Sequence, residues 1–87
     1  MEIIGVKYED NFSPKTFSGK SYSYYSIIPL EIGDIVVAPT QYGGKVAKVY
    51  ETNIPEERIK NIKSYLKTIA VKLDKQKYME NNQVEAA

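Results

Sequence analysis

The sequence predicts a mainly β protein, a small five-stranded SH3-like or OB-like barrel with one or two short helices, on three observations. Residues 2–8, "EIIGVKY", and 22–28, "YSYYSII", show the two-residue alternation and the tyrosine and β-branched content of half-buried strands. Residues 34–51 hold two apolar runs, "DIVVAP" and "KVAKVYE", parted by "TQYGG", the pattern of a β-hairpin. A chain of 87 residues has room for one modest core. Residues 1–74 are therefore read as one barrel domain and residues 75–87 as a helical or frayed tail.

Taken in order, the first strand turns Ile4, Val6 and Tyr8 to one face and Ile3, Gly5 and Lys7 to the other. Residues 9–21, with Pro14, Gly19 and several small polar side chains, form a loop long enough to be functional or mobile. The second strand, 22–28, is limited by Pro29, which cannot donate to a ladder. Gly33-Asp34 then turns the chain into the hairpin, whose five-residue turn from Thr40 to Gly44 uses its glycines for the unusual backbone angles. The hairpin reads as the centre of the barrel, with a second reading in which the exposed Tyr42 and the glycines also approach a ligand.

The segment after Tyr50 admits two structures. Pro55, at a first helical position, and Glu56 and Glu57 in the first turn start a helix. Ile59, Ile62, Leu66, Ile69 and Leu73 have the spacing of one amphipathic helix of about five turns. Yet Ile69, Val71 and Leu73 alternate with Ala70 and Lys72, and Thr68, Ile69 and Val71 are β-branched. The second pattern is preferred: a short helix to about residue 62, a fifth strand at 66–73, and a helical tail capped by Asp74.

Composition removes most catalytic chemistry. With no histidine and no cysteine, the chain lacks the commonest neutral-pH base, the commonest metal ligand and any thiol nucleophile. Its acids lie in turns and at a helix start, where charge complementarity explains them, so no enzyme activity, metal or cofactor is expected. "SGKS", residues 18–21, resembles the end of a phosphate-binding loop, but Pro14 stands where that loop needs glycine and removes an amide, so nucleotide hydrolysis is set aside. "NFS" at 11–13 fits a glycosylation sequon, but no basic-then-apolar leader precedes it and no run reaches membrane-span length. A cytoplasmic protein with no membrane partner is expected, its oligomeric state open.

The net charge of +1 is unevenly spread. Residues 1–57 carry five lysines and eight acids, whereas residues 58–77 carry seven basic residues against Asp74 alone. That segment is either a solvated lysine face or a surface for a negatively charged partner. Among eight tyrosines, Tyr22 and Tyr24 share one face of the second strand and Tyr25 takes the other. Such rings either cover a pleated surface or stack bases beside a basic groove.

An aromatic strand, "IGDIVVAP", a glycine loop, "KVAKVYE", a helical stretch and "LKTIAVKLD" occur in an order that resembles the N-terminal three-prime DNA-binding domain of the PriA primosomal helicases and short phage-encoded proteins of the same build. The resemblance covers roughly residues 2–74. It implies a barrel whose pocket holds a terminal nucleotide through an aromatic, an aspartate, a hairpin glycine and a lysine. By position these are Tyr24, Gly43 or Gly44, and Lys67; the aspartate has no counterpart, because Tyr25 stands in its place. What carries over is stacking and a phosphate contact. The expected function is non-enzymatic binding of single-stranded DNA, through Tyr22, Tyr24, Tyr42, Gly43, Gly44 and Lys67. The rival is a phage-encoded protein-interaction module or inhibitor of a host factor.

Overall fold

The computed structural model describes residues 2–62 and 66–78. Its strands are β1 (Glu2–Tyr8), β2 (Tyr22–Ser26), β3 (Ile35–Thr40), β4 (Gly43–Glu51), β5 (Thr68–Ile69) and β6 (Val71–Lys72). They form one sheet in the order β5-β2-β1-β4-β3-β6, curled into a nearly closed barrel.

The sheet is mainly β and small-barrel-like, as expected, but the anticipated fifth strand is two. Residues 68–69 pair parallel with β2 and residues 71–72 antiparallel with β3. The chain changes partner at Ala70 because it crosses from one edge of the sheet to the other, and that crossing draws the edges together. The Tyr25 amide donates to the Lys67 carbonyl and the Leu73 amide to the Ile35 carbonyl, so this short seam pairs part of each edge.

β1 is central and covered on both sides. Its inward residues Ile4 and Val6 join Tyr24, Val36, Val49 and Ile69 in the main core. Its outward Ile3 packs with Ile54 and Ile59, flanked by Tyr25 and Leu66. This second cluster explains why Ile3 and Ile4 are both buried although they point opposite ways.

Element ends differ from expectation for local reasons. β2 stops at Ser26, not Ile28, because the Ser26 hydroxyl donates to the Ile28 carbonyl and accepts from the Ile28 amide, turning the chain out of the ladder. The hairpin turn has two residues, Gln41 and Tyr42, since Thr40 and Gly43 still pair. The Thr40 hydroxyl donates to the Gly43 carbonyl and accepts the Tyr42 amide, which closes the turn early. Gly43 has φ 107°, a left-handed value. The expected helix is a single 3-10 turn, Glu56–Arg58, with Pro55 just before it in extended backbone rather than at a first helical position. Arg58 reaches back to Glu51, and that hydrogen-bonded pair holds the Glu51 carboxyl below the usual carboxylate range. At the far end residues 75–78 are helical, and the Asp74 carboxylate accepts the Lys77 amide, the cap the sequence predicts. The rest of the proposed tail, 79–87, lies outside the described residues.

Gly44 is a packing glycine. A Cβ there would stand 2.8 Å from Val37 Cγ1. Valine is stiff at χ1 and Val37 is held in β3, so relief requires a backbone shift. Gly44→Ala is expected to destabilise by about 1–3 kcal/mol, read as a lower urea midpoint at unchanged slope; an unchanged midpoint would refute this packing role.

Candidate functional site

At the end of the barrel where β1 finishes and β2 begins lies an open cavity of about 430 Å³. Alternation builds it. Val6 and Tyr8 point inward along β1, and the β2 residues opposite Val6 and Ile4 are Tyr22 and Tyr24. Small β3 and β4 residues fill the barrel centre, so the larger rings collect at its mouth. The cavity is lined by Tyr8, Tyr22, Tyr24, the hairpin backbone from Pro39 to Gln41, and Ile62, Leu66 and Lys67 from the returning chain.

The three tyrosines differ in depth and task. Tyr24 is 5% exposed, part of the core, and its ring forms the floor. Its hydroxyl donates to the Pro39 carbonyl at 3.0 Å. A hydroxyl has one hydrogen, so Tyr8 is the donor in the 2.5 Å bond between the Tyr8 and Tyr24 oxygens. Burial first, and then this bond, push the Tyr24 phenol well above the ordinary tyrosine range. Tyr8 stacks on Tyr22 with centroids 4.7 Å apart and planes 23° from parallel. Tyr22 is 41% exposed and presents the ring most open to a ligand.

Positive charge borders the mouth on two sides. Lys67 is exposed and lines the cavity. Lys45 holds its ammonium 5.4 Å from the Tyr8 ring centroid. The rest of the basic segment is dispersed: Arg58 pairs with Glu51 and Lys72 with Asp34, both acids of the preceding acidic part of the chain. Charge segregated in sequence is thus partly neutralised in space.

Of the residues singled out from sequence, Tyr22, Tyr24 and Lys67 meet around this one cavity. Gly43, Gly44 and Tyr42 do not line it; they form the exposed hairpin tip beside its Thr40 and Gln41 rim. Tyr42 is 91% exposed and stands clear of the surface. Sequence reasoning missed Tyr8 and Lys45. Both were open to the same alternation, Ile4-Val6-Tyr8 along β1 and Lys45-Ala47-Val49 along β4. No group of three or more metal-ligating acids occurs among the described residues. No helix among them is long and apolar enough to cross a membrane. Compared with known proteins, the chain matches no family model, no curated protein and no solved structure.

Proposed function

We propose that the protein is a non-enzymatic binding module for single-stranded DNA, with the barrel mouth taking an unpaired base and its lysines the adjoining phosphates. The observation that carries this reading is the open cavity in which the Tyr22 ring stands beside Lys67, with Lys45 against Tyr8. A ring face for stacking and unpaired ammonium groups for the backbone are what a single strand requires. The resemblance to the three-prime DNA-binding domain supports the same reading through stacking and a phosphate contact, Tyr25 standing where that family has its aspartate. Stacking belongs to Tyr22 here, because Tyr24 is committed to the core.

The test is a salt titration of binding to short oligodeoxynucleotides with a free or blocked three-prime end. Tyr22→Ala is expected to weaken binding by about 1–3 kcal/mol through lost stacking. Lys67→Ala should reduce the log-log salt slope by about 0.7, the share of one phosphate contact on a single strand. No binding at low ionic strength, where counterion release favours it most, would end the reading. The second reading, a protein-interaction module of phage type, is favoured by two aromatic side chains that project without cover, Phe12 at 94% and Tyr42 at 91% exposure. Binding to a protein through such rings would survive salt and ignore competitor oligonucleotide.

A further inference from the structure

We propose that the outer face of β1 and β4 carries a second site, centred on Tyr50, that takes the phosphodiester backbone of a single strand beyond the mouth. It rests on the single-strand reading above. Lys7 and Lys48 are register partners across these strands. Their neighbours Val6, Tyr8, Ala47 and Val49 turn inward, so both lysines point out. Like charges directly opposite one another disfavour a sheet. Neither lysine has a carboxylate partner among the described residues, whose ion pairs join Arg58 to Glu51 and Lys72 to Asp34. Glu9, two residues beyond Lys7, is engaged by the Lys15 amide and the Tyr78 hydroxyl.

What the two lysines share is an aromatic ring. The Lys7 ammonium lies 4.8 Å and the Lys48 ammonium 5.9 Å from the Tyr50 centroid. Tyr50 lies at a β-bulge: Gly5 pairs with Glu51 and Val6 with Val49, which leaves Tyr50 as the extra residue of β4. Alternation already turns this ring outward with Lys48, since Ala47 and Val49 on either side of Lys48 turn inward. Its hydroxyl donates to the Phe17 carbonyl at 3.3 Å, which fixes the far end of the ring. The result is an anchored ring that gathers two cations with no carboxylate partner among the described residues, a concentration of positive charge suited to phosphates. Site and mouth lie on the two faces of the sheet at the same end of β1, where Lys7 points out and Tyr8 points in, so a strand passing over that rim would meet both.

The experiment compares the parent protein with the double variant Lys7→Gln/Lys48→Gln, measuring anisotropy of labelled oligodeoxythymidine, a trinucleotide and a dodecamer, across salt concentrations. The dodecamer salt slope is expected to fall by about 1.4, two single-strand phosphate contacts. The trinucleotide, which the mouth alone accommodates, should bind as before. The melting temperature should hold or rise, since a like-charge pair has been relieved. The control Lys60→Gln/Lys75→Gln, exposed elsewhere, should leave the dodecamer slope unchanged. An unchanged slope in the Lys7/Lys48 variant, while Tyr22→Ala still weakens binding, overturns the second site and spares the mouth. An equal fall in the control variant overturns it as well, as non-specific attraction, and a lowered melting temperature does so by showing the pair to be structural. If the parent binds neither oligonucleotide, the site and the single-strand reading both fall.

Discussion

Tyr24→Ala is expected to remove about 3–5 kcal/mol of stability, the largest effect of any mouth substitution. A domain of this size has a total stability on the order of 5–15 kcal/mol, so the loss is a large fraction of the whole and should show as a much lower urea midpoint. The reason is position. Tyr24 sits opposite Ile4 in the middle of the sheet, 5% exposed, with its ring in the core and its hydroxyl joined to both Tyr8 and Pro39. Removing it opens a cavity, leaves the Tyr8 hydroxyl without its acceptor and takes a donor from the Pro39 carbonyl. Tyr24→Phe separates these contributions: it keeps the ring, loses both bonds and should cost about 1–3 kcal/mol, the penalty of unsatisfied buried polar groups. Urea denaturation followed by circular dichroism measures both. If Tyr24→Ala unfolded at the parent midpoint and lost only affinity, Tyr24 would be a stacking surface and the assignment of that role to Tyr22 would be wrong.

The contrast between Tyr22 and Tyr24 shows how far the sequence carries. Alternation states which face a side chain takes, and it placed Tyr22 and Tyr24 together and Tyr25 apart, as the structure has them. It does not state depth along the barrel axis, which depends on the cross-strand partner. Tyr24 is opposite Ile4 and buried, whereas Tyr22 is opposite Val6 and half open. β1 and the β3–β4 hairpin were legible because a period of two is a strong local signal and both elements have one well-defined core face. The hairpin tip was read too long because its closure depends on one hydroxyl, that of Thr40, meeting one carbonyl. Alternation turns Tyr50 outward with Lys48, but it does not state that Lys7 stands opposite, because the β1–β4 register and its bulge are set by tertiary pairing. The loop at 9–21 has no period at all; Phe17 is fixed there by tertiary contacts with β4 and Tyr50 that no local pattern encodes.

Ile69→Ala is expected to cost about 2–5 kcal/mol, and its pairing with Ile62→Ala decides the ambiguity of the last segment. In one amphipathic helix, Ile59, Ile62, Leu66, Ile69 and Leu73 would share a face, and Ile62 and Ile69 would be buried to similar degrees. In the structure these residues are divided among different surroundings. Ile59 belongs to the outer cluster with Ile3 and Ile54. Ile62 stands at the mouth, 46% exposed. Ile69 is wholly buried in the main core, in the two-residue strand that begins the seam. Ile62→Ala should therefore change stability by no more than about 0.5 kcal/mol, as surface substitutions do. The backbone supports the same division, because the Ile27 amide donates to the Ile69 carbonyl, a bond between residues far apart in sequence. Slow hydrogen exchange of the Tyr25 and Ile27 amides in the parent, accelerated in Ile69→Ala, would tie that loss to the seam. Equal costs at Ile62 and Ile69 would instead fit a continuous helix. A large loss at Ile69 alone means that closure of the barrel depends on this isoleucine, which pairs with β2 two residues before Val71 pairs with β3 at the opposite edge of the sheet.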